Sequence, residues 1–260
     1  MHPMTAARDH ASRRLAYVQM TVDIAIRALL VAAGLAGALA CGAEPSGVPP
    51  VVEERRLAMG SELHLTAYTA DEAATRAAFA AVYAEFERLE ALLSVWRDGS
   101  DVVRLNQAAG AAPVPVHDDT RRALHAAAQV SAWTEGKFDI TFGALAEVWK
   151  FDDDQDNRVP TAAEIIARVS RVDYTAVTVD DGRGTAFLKR RDVRVHLGGL
   201  GKGYAVDRAV AILRVAGLRD FMVQAGGDLY AGGRAGPTPW RLGIQDPRGP
   251  GGEPFASVEL

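Results

Sequence analysis

The clearest pattern along the chain is an apolar stripe at helical spacing between Ala70 and Leu93. Apolar side chains recur there every three or four positions, which places them on one face of an α-helix. They are Phe79, Val82, Phe86, Leu89 and Leu93. Thr69 and Glu72 have the spacing of a capping box, which predicts where the helix begins. The stripe predicts a structural helix with one buried face and no chemistry of its own.

The other patterned segments predict a mixture of helices and strands. Leu63, Leu65 and Ala67 alternate with polar neighbours, as in a half-buried strand. Further helices are predicted over Asp119 to Trp133, after Pro160, and over Tyr204 to Ala216. Further strands are predicted over Tyr174 to Val179, Ala186 to Arg190, Val193 to Leu197, Phe221 to Gln224, and Trp240 to Ile244. Because the two types do not alternate strictly, the pattern predicts an α+β fold of mixed sheets and packed helices.

Composition limits the classes of function. With 260 residues, of which 48% are hydrophobic, the chain is long and apolar enough for one large core or two modest ones. The net charge is −4. A protein that binds nucleic acid through charge needs a basic surface, so we expect no nucleic-acid partner. A small anionic ligand remains possible where positive groups are local.

The N-terminal segment has the pattern of an export signal. Arg13, Arg14 and Arg27 precede an apolar run from Ala28 to Ala40, which ends at Cys41. A run of about 13 residues is too short to span a bilayer, which takes about 20 residues in a helix. The sequence therefore predicts an export signal over residues 1–41.

Cys41 is the only cysteine of the chain, so it cannot form an internal disulfide. Small or apolar residues precede it, as a lipoprotein processing site requires. We therefore expect Cys41 to be lipidated and to anchor an exported protein to a bacterial membrane, facing the periplasm or the cell exterior. An ordinary signal peptide with an incidental cysteine is the alternative. Residues 42–50 are predicted to be a flexible tether, and residues 51–260 the folded domain.

The strongest chemical signal is the segment VHLGGLGKGYAVD, Val195 to Asp207, which predicts a strand, a glycine-rich loop and a helix. Glycines allow close backbone approach to a ligand, and the first amides of a helix bind phosphate or pyrophosphate. Lys202 adds a full charge. A P-loop is excluded because Gly203 follows Lys202 and His196 stands at the first glycine position. A dinucleotide fingerprint is excluded by Tyr204. On glycine spacing, a phosphate cradle and a tight turn remain equally open.

Six segments together resemble the FAD:protein FMN transferase family, also called ApbE-type, from Ala58 to Leu260. They are MGSELHL, LLSVWRDGSDVVRLN, GKFDITFGALAEVWKF, the glycine loop, AGGDLYAGG and PWRLGIQDPR. The resemblance implies that FAD is split at its pyrophosphate, that AMP leaves, and that FMN is joined to a threonine hydroxyl of an acceptor flavoprotein. It also implies a requirement for Mg²⁺.

The resemblance further implies roles for individual residues. Met59 and Trp96 are expected against the flavin or adenine, and Gly199 is expected to offer a backbone carbonyl to the metal. Lys202 is expected at the phosphates or ribose. The remaining residues implied to bind FAD are Lys137, Phe138, Asp139, and His196, which stands where the family has aspartate.

Three of these residues have structural alternatives that the sequence leaves open. Core packing is the alternative for Trp96. Asp139 is also placed to cap a helix running from Thr141 to Trp149. His196 has the alternative of a partly buried strand histidine. Asp228, which closes AGGD, is interpreted as part of a shaping motif.

The family continues beyond Leu260 with aspartate and threonine side chains that complete its metal site, so we expect the sequence to be truncated at its C-terminus. These 260 residues are then expected to bind FAD weakly and to lack transfer activity. Two other functions remain open: a non-catalytic flavin-binding lipoprotein, and an FAD pyrophosphatase that gives FMN and AMP.

Overall fold

The computed structural model describes residue 47 and residues 49–146, 148–150, 155–249 and 254–260. The predicted export signal, Cys41 and most of the predicted tether lie outside these residues. The helices are α1 (Glu72–Leu93), α2 (Asp101–Gln107), α3 (Asp118–Trp133), α4 (Ala162–Val169) and α5 (Gly201–Val215). The strands are β1 (Val51–Ala58), β2 (Ser61–Tyr68), β3 (Val114–Pro115), β4 (Val177–Asp180), β5 (Thr185–Leu188), β6 (Phe221–Ala225), β7 (Asp228–Gly232), β8 (Arg241–Gln245) and β9 (Pro254–Glu259).

An antiparallel sheet in the order β1–β2–β6–β7 carries the main core. Leu63, Leu65 and Ala67 on β2 are completely buried, so the alternation that predicted this strand is confirmed. The register pairs Leu63 with Ala225. This pairing brings the β1–β2 turn and the β6–β7 turn to the same end of the sheet.

Helix α1 packs against the sheet and α5 with the apolar stripe that predicted it. All five residues of that stripe are buried. The predicted capping box is wrong. The N-cap is Asp71, whose side chain accepts from the N–H of Ala74 at 2.9 Å, while Thr69 accepts from the N–H of Asp71. A capping box occurs instead at Thr161 and Glu164, where it begins α4.

The strand predicted over Val193 to Leu197 is also wrong, although the segment alternates in burial as a strand does. It forms one isolated parallel bridge, between Arg194 and Phe142. A side chain replaces the missing partner strand: Asn106 donates to the carbonyl of Val195 at 2.9 Å and accepts from its N–H at 2.7 Å. This amide fixes the backbone that leads into the glycine loop.

Two smaller sheets complete the described structure. One has the order β3–β5–β4, and the other is the β8–β9 hairpin. The region predicted as a strand from Tyr174 begins with a 3-10 turn (Tyr174–Ala176) before β4. Among the described residues, no helix has the length and apolar character needed to cross a membrane. Packed helices with antiparallel sheets confirm the predicted α+β class.

Candidate active site

The first turn of α5 is an uncapped helix terminus. Leu200 is its N-cap residue, and no side chain in the described part of the protein caps the helix. The N–H groups of Leu200 and Gly201 donate to the carbonyl of Leu197, at 3.0 and 2.7 Å. Within the described residues, the N–H groups of Gly199, Lys202 and Gly203 have no acceptor. Free N–H groups at the positive end of a helix dipole are suited to an anion.

The side chain of Lys202 brings its positive charge to the same place. No other described residue forms a hydrogen bond or an ion pair with its ammonium. A Cβ built on Gly226 would lie 3.9 Å from Cδ of Lys202 and 3.2 Å from Oγ of Ser61. Gly226 has φ +60°, which favours glycine. The β6–β7 turn therefore lies against the lysine stem and the start of β2.

Met59 occupies the other hairpin turn at this end of the sheet. It has φ 49°, which is uncommon for a residue other than glycine. Its N–H donates to Oε2 of Glu90, on α1, at 3.3 Å. Met59 is partly buried against the core, and its turn lies at the same end of the sheet as the β6–β7 turn.

Trp96 is linked to Met59 through the same glutamate. The carboxylate of Glu90 lies 3.2 Å from the guanidinium of Arg97, the neighbour of Trp96. Trp96 is 66% exposed, which rules out the core-packing alternative. An exposed indole presents a large apolar face on which a planar ring system can stack.

Phe138 and His196 border the glycine loop from its other side. A Cβ on Gly199 would lie 3.5 Å from Cε2 of Phe138. The Nδ1 atom of His196 accepts from the N–H of Gly198 at 3.0 Å, and its ring lies 5.2 Å from that of Phe142, centroid to centroid. A neutral His196 therefore carries its proton on Nε2. It shapes the loop from an extended segment, not from the strand of the sequence prediction.

Asp139 has a structural role in this fold. One of its oxygens accepts from the N–H and the hydroxyl of Thr141, at 2.7 and 2.6 Å, and the other accepts from the N–H of Tyr174 at 2.8 Å. The helix predicted from Thr141 to Trp149 is replaced by a 3-10 turn (Gly143–Leu145). Asp139 therefore does not cap an α-helix, and that prediction was wrong. Lys137 is exposed at the surface.

A buried charge network lies behind the first turn of α5. The hydroxyl of Tyr204 donates to Oδ1 of Asp119 at 2.6 Å, and the guanidinium of Arg88 donates to Oδ2 at 2.6 Å. Burial, followed by the negative charge of Asp119, raises the pKa of Tyr204 to about 12. Burial opposes ionisation of Asp119, but the hydrogen bonds from Tyr204 and Arg88 outweigh it and lower the pKa of Asp119.

The described residues do not form a magnesium site. They contain no group of three histidine, cysteine, aspartate or glutamate side chains able to hold a metal. Asp228 supplies one carboxylate near the loop, since a Cβ on Gly203 would lie 3.6 Å from its Oδ1. Mg²⁺ prefers octahedral coordination by oxygen. One carboxylate and the expected carbonyl of Gly199 do not meet that need.

The sequence did not single out Ser61, Glu90 or Tyr204 as parts of this site. Ser61 and Glu90 contact it only because distant segments meet at one end of the sheet. Tyr204 lies within the glycine-loop motif, but its buried partner is 85 positions away. The sequence places Asp119 at the start of a predicted helix, but it does not show that this side chain is buried or that it pairs with Tyr204.

The fold and this site define an α+β protein with a helix start that is suited to bind an anion. A family model, described as the ApbE family, matches residues 59–260, and the chain belongs to that family. The FAD:protein FMN transferase of Salmonella typhimurium is 34% identical over 160 residues, covering 60% of this chain and 46% of that protein. A protein of the same name from Klebsiella pneumoniae is 32% identical over 79% of this chain and 59% of its own length.

The structural comparison agrees with the family. The crystal structure of the ApbE protein of Thermotoga maritima has a TM-score of 0.72 and 30% sequence identity, covering 81% of this chain and 68% of that one. The chain spans about half the length of the curated relatives described above.

The network at Asp119 predicts a specific pH dependence of stability. The pKa of Asp119 is lower in the folded protein than its ordinary value of 3.8, so its ionised form stabilises the fold above that value. This contribution is lost as pH falls through the lower, folded pKa. We expect Asp119→Asn to reduce the free energy of unfolding by about 2 kcal/mol at pH 6, and the difference from wild type to shrink toward pH 2.5.

Urea denaturation from pH 6 to pH 2.5 measures this difference. Asp98→Asn, which neutralises an exposed carboxylate, is the control and should stay close to wild type throughout. If the free energies of unfolding of Asp119→Asn and wild type differed by the same amount over the whole pH range, the lowered pKa of Asp119 in the folded protein would be contradicted.

Proposed function

We propose that this protein is an FAD:protein FMN transferase, which moves FMN from FAD to a threonine hydroxyl of an acceptor protein and releases AMP. The observation that carries the proposal is the start of α5 with its preceding loop, where Lys202 lies beside three N–H groups that have no acceptor among the described residues. This turn lies within the segment matched by the ApbE family. The names of the relatives from Salmonella typhimurium and Klebsiella pneumoniae support the same activity.

The reaction makes one bond and breaks one. The threonine oxygen forms a bond to the phosphorus of the FMN half, the pyrophosphate P–O bond to AMP breaks, and AMP leaves with the bridging oxygen. The hydroxyl proton passes to solvent or to a base. Negative charge must be stabilised on the phosphate oxygens, and fixed amide dipoles with a lysine serve this purpose without reorganising. The exposed face of Trp96 and the side chain of Met59 are suited to hold the flavin or adenine ring.

Magnesium belongs to the proposal through the family resemblance. When bound, it would neutralise charge on the phosphates. The described residues do not form its ligand set, and the experiment below includes a reaction without Mg²⁺.

Incubating the protein, expressed from its complete reading frame, with FAD, Mg²⁺ and a threonine-bearing acceptor tests the proposal. We expect mass spectrometry to find the acceptor heavier by one FMN, less one water, together with free AMP. Omitting Mg²⁺, and replacing the acceptor threonine by valine, are the controls. Free FMN and AMP with no modified acceptor would identify a pyrophosphatase instead, and bound but unchanged FAD would identify a flavin-binding protein without transferase activity.

Lys202→Ala tests whether the charge at the loop contacts the phosphates. A charge-assisted hydrogen bond to phosphate contributes about 1.5–3 kcal/mol, so we expect the Kd for FAD to rise by about tenfold or more. Flavin fluorescence titration gives this Kd. Arg183→Ala removes the same charge from an exposed turn and is the matched control. Equal Kd values for Lys202→Ala and wild type would show that Lys202 does not contact the ligand.

We also propose that the protein is exported and lipidated at Cys41. The proposal is supported by the arginines and the apolar run that precede this cysteine. Cells labelled with a radioactive fatty acid should incorporate label into the wild-type protein and not into Cys41→Ser. Label in both proteins, or in neither, would overturn lipidation at this residue.

A further inference from the structure

The hydroxyl of Tyr204 ties the first turn of α5 to the rest of the fold. Tyr204 follows Lys202 by two positions, and its hydroxyl donates to Oδ1 of Asp119 at 2.6 Å. Gly201 and Gly203 have no side chain, and Lys202 has no partner among the described residues. Tyr204 is thus the first residue of α5 whose side chain hydrogen-bonds to another helix of the described structure.

The side chain of Asp119 is itself held in one position by burial and by a second hydrogen bond. It lies in the first turn of α3, and its side chain is only 5% exposed. Arg88 of α1 donates to its second oxygen at 2.6 Å. Because burial makes an unpaired carboxylate costly, the aspartate and its two donors favour one arrangement of three helices. A hydrogen bond from Tyr204 to this carboxylate limits both the translation and the rotation of the first turn of α5.

Nearby arginines balance the negative charge of Asp119. Arg88 is bonded to it, and Arg122 lies 3.8 Å from Oδ1. The negative charge of the carboxylate is therefore offset by two guanidinium groups, so it can hold the helix without strong repulsion of an anionic ligand at the N-terminus of α5.

We propose that Tyr204 and Asp119 are positioning residues for the phosphates of FAD: their hydrogen bond holds the amides of Lys202 and Gly203, and the Lys202 side chain, in the geometry that binds the pyrophosphate. This inference rests on the proposed function. The pair does not touch the ligand, and it acts by removing motion from groups that do. Catalytic and binding sites are sensitive to displacements of this kind, because misplacement by about 1 Å is costly.

Tyr204→Phe is the direct test, because it keeps the ring and removes only the hydroxyl. We expect the Kd for FAD, measured by flavin fluorescence titration, to rise five- to tenfold. Asp119→Asn should give a rise of similar size. The double variant should be no weaker than the weaker single variant, because both changes weaken the same hydrogen bond and are therefore not additive.

Glu85→Gln is the matched control. Glu85 belongs to the same network, since it accepts from Arg88 at 2.8 Å and from Arg208 at 3.1 Å. Arg208 lies farther along α5, so this change weakens the network without releasing the first turn. We expect a fall in Tm comparable to that of Tyr204→Phe, with the Kd for FAD within twofold of wild type.

Three results would overturn the inference. One is a Kd for Tyr204→Phe within twofold of wild type, and another is an equal loss of affinity in Glu85→Gln at the same Tm. If Tyr204→Phe does not fold, the Kd of Asp119→Asn for FAD replaces it, and a value within twofold of wild type would overturn the inference. A wild-type protein that does not bind FAD is the third result; it would sink the proposed function and this inference together, whereas the first two results leave the proposed function intact.

Discussion

An α-helix leaves the N–H groups of its first turn without acceptors inside the helix. Most helices solve this with a capping side chain, as α1, α2, α3 and α4 do here. Helix α5 is different, because a glycine-rich loop enters it and no side chain of the described residues caps it. The unsatisfied amides favour the binding of an anion. Lys202 and two hairpin turns lie beside these amides.

Helix α1 connects the two sides of this site. Its apolar face is buried in the core, and charged residues near its C-terminal half reach outward in two directions. Glu90 accepts from the N–H of Met59 and pairs with Arg97, beside the exposed Trp96. Arg88 pairs with Asp119, which holds Tyr204 on α5. One helix therefore contacts both the arginine next to Trp96 and the aspartate that is bonded to Tyr204.

Much of the fold could be predicted from periodicity, because the buried faces of core helices and strands appear as a regular spacing of apolar residues within one segment. The stripe on α1, the alternation on β2 and the glycine loop are of this kind. Contacts between segments that are distant in the sequence could not be predicted from periodicity. The segment around Val195 reads as a strand, but its partner is the side chain of Asn106, 89 positions away. Asp139 reads as a ligand contact or a helix cap, but Tyr174, 35 positions away, takes one of its oxygens. Such pairings depend on the topology of the whole domain.

In the proposed function, the start of α5 recognises the pyrophosphate of FAD, while the aromatic and apolar groups hold its ring systems. FMN and riboflavin share the flavin ring and differ only in the phosphate, so comparing the Kd values of the wild-type protein for FMN and for riboflavin isolates the phosphate contribution. If the amides and Lys202 bind phosphate, FMN should bind at least about tenfold more tightly than riboflavin, which corresponds to one charge-assisted hydrogen bond. Equal affinities for the two flavins would contradict this account of the site.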